Sequence, residues 1–153
     1  MVTTTQQKLT FDQFLDVCPD EGLYEFVNGE IVEMAATRNH EDVADYTADS
    51  FKDEIKRLNL DFVVKTKAVI KTVNKDGREQ GRLPGVSVID RTIWRARRTD
   101  YSALQEPIQL AVEVTSTNWE DDYIDKLDEY QRLGIPEYWI VDYLGLGATR
   151  YIG

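Results

Sequence analysis

The sequence has little cysteine, a deficit of basic charge and no long apolar run. Cys18 is the only cysteine, which excludes an internal disulfide and a cysteine-based zinc cluster and favours a reducing compartment. No apolar stretch approaches the roughly 20 residues of a membrane span, and the polar start over residues 1–8 lacks the apolar stretch of a signal peptide. We therefore expect a soluble, cytoplasmic protein with no membrane partner.

No repeat, low-complexity tract or Pro/Gly/Ser-rich linker divides the chain, so residues 1–153 are expected to form a single domain. The composition is 42% hydrophobic and 30% charged, which supplies enough apolar material for a core without disulfides. The sequence also has no Gly-rich phosphate loop, no Ser-His-Asp or Cys-His arrangement of known spacing and no cofactor motif. Most enzyme classes therefore have little support.

Acidic residues outnumber basic ones, 28 to 18, and the net charge is −10. This balance argues against a general nucleic-acid coat protein, because such proteins neutralise phosphates with Lys and Arg. The charge is uneven: residues 52–98 hold 13 of the basic and 6 of the acidic groups, a surplus of seven positive charges. That segment either faces a polyanion or is an ordinary solvated surface. Strand alternation would put its Lys65, Lys67 and Lys71 on one face.

Hydrophobic spacing and turn residues predict alternating helices and strands. The Asn28-Gly29 pair between two apolar runs is typical of a β-hairpin. Residues 91–107 are predicted to be loop with a short piece of regular structure. The predicted helices are 10–17 with Thr10 as N-cap, 40–58, and 121–133 with Gly134 as C-cap. The predicted strands are 24–27, 31–34, two or three strands within 62–73 and 83–89, then 108–114 and 138–141.

A mixed central β-sheet with helices on its faces, preceded by a hairpin, is the natural packing for this element order. The predicted fold class is therefore α/β (α+β). A turn at 144–147 and a strand over 148–152 follow the last core strand, and the sequence stops there. This suggests a domain truncated at its C-terminal hairpin.

Glu113 is an acidic residue inside an apolar run, with Ala111 and Thr115 on its side of the strand. Burying an unpaired carboxylate costs several kcal/mol, so such a group is paired with a cation, bound to a metal or placed at an exposed strand end. Lys126 follows 13 residues later, at the edge where ligand sites of open α/β sheets collect, and Tyr130 lies one helical turn further on. Lys126 is either a partner of Glu113 or an ordinary exposed lysine.

Several segments in one order resemble a known family. The segments are Tyr24-Glu-Phe-Val-Asn-Gly-Glu-Ile31, Arg82-Leu-Pro-Gly-Val-Ser-Val88, Ala111-Val-Glu-Val-Thr-Ser116, and Lys126 with Tyr130 followed by Gly134-Ile-Pro-Glu-Tyr-Trp-Ile-Val-Asp142. Together they cover nearly the whole chain, and the last run is the most specific. The set resembles restriction-endonuclease-like proteins abundant in cyanobacteria, a family of the PD-(D/E)XK nuclease superfamily.

The resemblance implies a DNA endonuclease that uses Mg²⁺ (or Mn²⁺), held between the Asp of a Pro-Asp pair and the acid of the next core strand, with a lysine nearby. Phosphodiester hydrolysis suits a hard cation with oxygen ligands. The resemblance implies Glu113 as that second acid, the Val114 backbone carbonyl as a further ligand, and Lys126 as the lysine. It also implies His40 as a catalytic histidine that opens the long helix, although a lone His there is often structural.

Three further residues are candidate accessory groups: Glu25, Glu30 and Tyr130. The two hairpin acids are equally compatible with solvated strand positions. Homodimers are expected for nucleases that cut both strands.

The sequence departs from the family at Gly85, which stands where the first aspartate is expected. Taken alone, Pro84-Gly85 is a turn signal. Glycine has no side chain to coordinate a metal. Asp90 cannot replace it, because Asp90 lies roughly 16 Å further along an extended strand and on the opposite face of that strand. The resemblance therefore implies that Mg²⁺ binding is weakened or lost.

Three hypotheses follow from these observations. The first is a metal-dependent DNA endonuclease, active or inactivated at Gly85. The alternative is a non-catalytic module on the same fold that binds nucleic acid or a protein through residues 52–98. The third is an unrelated protein whose acidic helix docks a partner.

Overall fold

The computed structural model describes residues 8–19, 21–96, 103–115 and 119–144. In this part of the chain, helices and strands alternate as an α/β protein, which confirms the predicted fold class. The helices are α1 (Phe11–Val17), α2 (Arg38–Leu58), α3 (Arg91–Arg95) and α4 (Lys126–Leu133), the last preceded by a π-helical turn (Asp121–Asp125). The strands are β1 (Tyr24–Val27), β2 (Glu30–Glu33), β3 (Phe62–Lys65), β4 (Val69–Val73), β5 (Glu79–Arg82), β6 (Val86–Asp90), β7 (Ala103–Leu104), β8 (Leu110–Val114) and β9 (Glu137–Val141).

The strands form two sheets. The central sheet has the order β3-β6-β8-β9, and the hairpin sheet has the order β2-β1-β5-β4-β7. Each sheet is mixed, because β8 and β9 run parallel, as do β4 and β7, while the other pairs are antiparallel. The predicted hairpin is therefore not an isolated element before the central sheet, since its strands are part of a second sheet.

The beginning of the chain folds as predicted. Thr10 caps α1, with its side-chain oxygen accepting a hydrogen bond from the Gln13 amide at 3.2 Å. Asn28 and Gly29 have φ of 52° and 79°, and positive φ at both central residues is what a type I′ hairpin turn requires. The capped helix and the hairpin are confirmed, and their Phe side chains form one apolar cluster beneath the hairpin sheet.

The central sheet is covered on both faces. Val86, Val88, Val112 and Val114 pack with α2 on one face, while Ile89 and Ala111 pack with Tyr130 of α4 on the other. Their alternation along β6 and β8 is the period of two expected of strands. The same alternation turns Glu113 away from α2 and toward α4.

The long helix α2 begins at Arg38, two residues before the predicted start at His40. Its N-cap is Thr37, whose side chain accepts a hydrogen bond from the His40 amide at 3.2 Å. Asn59 ends the helix in the left-handed conformation with φ of 53°. The predicted helix is confirmed with an earlier first turn, and His40 lies in that turn.

Residues 62–89, predicted to form two or three strands, form four, and the strand region 62–73 is divided. Residues 66–68 interrupt it, so β3 belongs to the central sheet and β4 to the hairpin sheet. Lys65 Nζ lies 4.9 Å from the centre of the Trp94 ring, whereas Lys71 forms a 3.2 Å ion pair with Glu79. The basic residues of this segment therefore do not share one strand face.

One other boundary differs from the prediction, since the strand predicted over 83–89 begins only at Val86. Residues 91–107, predicted to be loop with a short piece of regular structure, contain the short elements α3 and β7. Asp90 caps α3 by accepting hydrogen bonds from the Thr92 and Ile93 amides at 2.8 and 3.2 Å, so its carboxylate is engaged there.

The strand predicted over 148–152 lies outside the described residues. Within the described ranges, the helices are too short or too polar to cross a bilayer.

Candidate functional site

Glu113 is a paired, buried acid in β8. Its side chain accepts hydrogen bonds from the Tyr130 hydroxyl at 2.8 Å, through Oε1, and from Lys126 Nζ at 3.1 Å, through Oε2. Burial raises the pKa of Glu113 to about 7 against the lowering effect of the Lys126 ammonium, and the charges of Glu25 and Asp122 raise the pKa further. The alternative of a solvated strand end is therefore excluded.

Lys126 is buried, with 2% of its surface exposed, so the alternative of an ordinary exposed lysine is wrong. Its ammonium lies 3.0 Å from Asp122 Oδ1, 3.1 Å from Glu113 Oε2, 3.8 Å from Glu25 Oε2 and 4.0 Å from Asp121 Oδ2. Burial alone lowers the pKa of Lys126, but these carboxylates outweigh it and raise the pKa above its usual value. The side chain is therefore a charged ammonium.

The π-helical turn Asp121–Asp125 brings two carboxylates to this lysine. The predicted helix over 121–133 is present, and its first turn is π-helical, wider than an α-helical turn. Asp121 and Asp122 both approach the Lys126 ammonium, and the Tyr138 hydroxyl anchors the turn by donating a hydrogen bond to the Asp122 carbonyl at 2.8 Å. Single π turns occur frequently at functional sites.

Gly85 lies beside Glu113, just before β6. Val86 pairs with Val112 in the antiparallel ladder, and continuing the register by one residue places Gly85 across from Glu113. A Cβ added to Gly85 would lie 3.4 Å from the Val112 carbonyl oxygen and 3.8 Å from Val114, which is ordinary van der Waals contact. The backbone therefore has room for a side chain at this position.

A cavity of about 410 Å³ opens where these elements meet. It brings together His40, Gly85, Glu113, Val114 and Lys126, all of which were predicted from the sequence as site residues. Its other charged lining residues are Glu33, Glu41, Asp45, Asp122 and Lys67. Acidic groups predominate, and the carboxylates from β2 and α2 are exposed while Glu113 and Asp122 are buried.

His40 lines the same cavity from the first turn of α2. Burial lowers the pKa of His40, and the Lys126 ammonium lowers it further, whereas the charge of Asp122 raises it. The imidazole is therefore mainly neutral at pH 7, and a neutral imidazole retains an acceptor nitrogen.

Glu25 belongs to the buried cluster and Glu30 does not. Glu25 Oε2 accepts a hydrogen bond from the Leu83 amide at 2.9 Å and lies 3.8 Å from Lys126 Nζ. Glu30 is exposed and lies 3.8 Å from Lys8 Nζ on the outer edge of the hairpin sheet. The register of the hairpin, Glu25 with Val32 and Val27 with Glu30, gives the two acids the same face. They separate because Glu30 lies at the turn end of the edge strand β2, whereas Glu25 lies in β1 between β2 and β5.

Arg82 connects the cluster to the hairpin sheet. This residue is 1% exposed, and its guanidinium donates to Glu129 at 2.9 Å through Nε and at 2.6 Å through Nη2. Nη1 lies 3.4 Å from both Glu25 and Asp121, and Glu129 also accepts a hydrogen bond from Thr72 at 2.6 Å. A continuous polar network therefore runs between the two sheets.

Four charged residues of this network were not singled out from the sequence. They are Arg82, Asp121, Asp122 and Glu129. Asp122 and Glu129 stand four residues before and three residues after Lys126, so helical spacing was a usable signal. Acids in a first helical turn are common for dipole reasons alone, which makes that signal weak, and nothing local marks Arg82 as buried.

The side chains as they stand do not fit a magnesium ion. Mg²⁺ needs near-octahedral oxygen ligands at about 2.1 Å. Both Glu113 oxygens accept hydrogen bonds from side chains, Gly85 supplies no carboxylate, and the nearby acids converge on the Lys126 ammonium. Within the described ranges, no three His, Cys, Asp or Glu side chains are grouped so that they could hold a metal ion.

Comparisons with known proteins agree with the predicted resemblance. The family model described as "Uma2: Putative restriction endonuclease" matches residues 11–151. A solved structure described as a putative nuclease belonging to DUF820, from Anabaena variabilis ATCC 29413, is similar with a TM-score of 0.64 at 16% identity. That likeness covers 88% of this chain and 74% of the solved one, and it shows a shared fold. A comparison with curated proteins finds no match.

Proposed function

Because the chain belongs to the Uma2 family of restriction-endonuclease-like proteins, we propose that its cavity is a DNA endonuclease site inactivated by the loss of one metal ligand, at Gly85. The chain as it stands holds Mg²⁺ weakly or not at all and does not hydrolyse phosphodiesters. Restoring an aspartate at that position restores the site.

The observation that carries this proposal is the position of Gly85 beside Glu113. Extending the β6–β8 register by one residue beyond Val86 and Val112 puts the two across from each other, and both line the cavity. A Cβ at residue 85 would meet its neighbours only at ordinary contact distances. We therefore expect an aspartate there to be accommodated and to supply a second carboxylate on the Glu113 side of the pairing, and such oxygen ligands are what Mg²⁺ prefers.

Lys126 and His40 are the cavity groups that suit a phosphodiester. A fixed ammonium stabilises negative charge developing on phosphate, and the imidazole, when neutral, accepts a hydrogen bond or proton. Glu33, Glu41 and Asp45 at the cavity edge oppose an approaching polyanion. We therefore expect the wild-type chain to bind DNA weakly.

The test is the Gly85→Asp variant, assayed on supercoiled plasmid with Mg²⁺ or Mn²⁺. The wild type should leave the plasmid intact, and Gly85→Asp should convert it to nicked or linear forms. Gly85→Asn is the matched control, because it adds nearly the same volume without a carboxylate, and it should stay inactive. The Glu113→Gln change on the Gly85→Asp background should abolish the gained activity.

Two results would contradict the proposal. Cutting by the wild type that is lost in Glu113→Gln would show that the site is active without an aspartate at position 85. A Gly85→Asp protein that is folded by circular dichroism, yet neither binds Mn²⁺ nor cuts DNA, would show that the cavity is not a nuclease site.

A second groove favours the alternative of a non-catalytic nucleic-acid binding module. It has a volume of about 420 Å³ and lies between the end of α2 and β3, where Lys52, Lys56 and Arg91 surround an apolar floor. Lys52 and Lys56 form no ion pair with the residues described. Binding to labelled duplex that falls steeply with salt, and is weakened by Lys52→Gln with Lys56→Gln but not by Glu113→Gln, would support this function.

A further inference from the structure

The ammonium of Lys126 is enclosed by carboxylates. Four of them lie within 4.0 Å of Nζ, and three of these, on Glu113, Asp122 and Glu25, are themselves at least 95% buried. Burying an ionised carboxylate is costly unless a positive charge lies beside it. Nζ is therefore the common centre of this group of acids.

The other buried cation nearby is already engaged. The Arg82 guanidinium forms its two shortest contacts with Glu129 and reaches Glu25 and Asp121 only at 3.4 Å. Glu113 and Asp122 receive no hydrogen bond from Arg82 in the structure. For these two acids, Lys126 is the neutralising group.

The carboxylate arrangement matches an ammonium rather than a divalent ion. The two shortest N···O distances, 3.0 and 3.1 Å, are ordinary for a charged hydrogen bond, whereas Mg²⁺ draws its oxygens to about 2.1 Å. A divalent ion at the same centre would also be repelled by the lysine at contact distance. At this centre the ammonium and a divalent ion therefore exclude each other.

We propose that the Lys126 ammonium is the resident cation of this centre, in the place a divalent ion would otherwise take, so that the folded chain needs no metal. The link between this centre and a metal site rests on the proposed function, in which Glu113 is the shared ligand. An aspartate added at position 85 would form a metal-ligand pair with Glu113 at the cavity end of the cluster. Glu113 would then belong both to this pair and to the acids around Lys126.

The test compares the wild type with Lys126→Met, which removes the charge and keeps most of the side-chain volume. Thermal unfolding is followed in EDTA and in millimolar Mn²⁺, and Mn²⁺ uptake is measured by electron paramagnetic resonance. The wild type should show the same Tm in both solutions and no specific uptake. Lys126→Met should have a lower Tm in EDTA, gain several degrees in Mn²⁺ and take up one ion per chain.

The matched control is Lys52→Met, an exposed lysine of α2, which should respond to Mn²⁺ no more than the wild type does. Saturable Mn²⁺ uptake by the wild type, with a raised Tm, would overturn the proposal. So would a Lys126→Met protein, folded or unfolded in EDTA, that neither takes up Mn²⁺ nor gains stability from it. Both readouts are independent of DNA cleavage. A Gly85→Asp protein that fails to cut would therefore count against the proposed function and leave the role of Lys126 standing.

Discussion

At the scale of single residues, Glu113 makes the stability of this protein depend on pH. Its pKa is about 7 in the folded state against an ordinary value of 4.5, so the folded state holds the proton more tightly. The free energy of unfolding should therefore fall as pH rises from about 4.5 to about 7, by up to about 3 kcal/mol. Glu113→Gln, which cannot ionise, should remove this decline, as measured by urea unfolding across that range.

The difference between the wild type and Glu113→Gln is the informative quantity, because His40 acts in the opposite direction. Burial lowers the pKa of His40, so its contribution to stability increases as pH rises through about 6.5. Both proteins contain this histidine, and it cancels in the difference. Glu106→Gln, an exposed control, should keep the wild-type profile; a Glu113→Gln profile parallel to the wild type would contradict the assignment.

At the scale of elements, the first turn of α2 holds His40 at the cavity through its cap. The Thr37 side chain accepts a hydrogen bond from the His40 amide, and loss of such a cap typically costs about 1 kcal/mol. Thr37→Ala should lower the free energy of unfolding by about that amount in urea titrations, whereas Thr37→Ser should retain most of it. Equal stability of the two variants would show that the cap contributes nothing.

At the scale of the whole molecule, Arg82 joins the two sheets through one buried guanidinium. Arg82→Met would leave Glu129 and its neighbours without their cation, and breaking a buried pair in this way costs about 3–5 kcal/mol. The expected result is a large drop in the urea midpoint. Arg132→Met removes an exposed pair with Asp128 and should cost less than about 1 kcal/mol; similar losses in both would contradict the bridging role.

Local pattern was sufficient for those features that depend on near neighbours in the sequence. The Asn28-Gly29 turn, the Thr10 cap and the period of α2 follow from steric and hydrogen-bonding rules acting over a few residues. The order of segments around Glu113 and Lys126 pointed to the family, and the same order exposed the glycine at position 85. These conclusions needed no knowledge of which strands pair.

Tertiary structure alone decided the charge network and the division into two sheets. Arg82 reaches Glu25 from 57 positions away in the sequence, and Thr72 reaches Glu129 over the same separation. The break at residues 66–68 sends β3 and β4 into different sheets and so separates Lys65 from Lys71. Periodicity in sequence reports which side of an element is apolar. What that side meets, and whether a lysine on it is solvated or enclosed by four carboxylates, is set by the packing of distant segments.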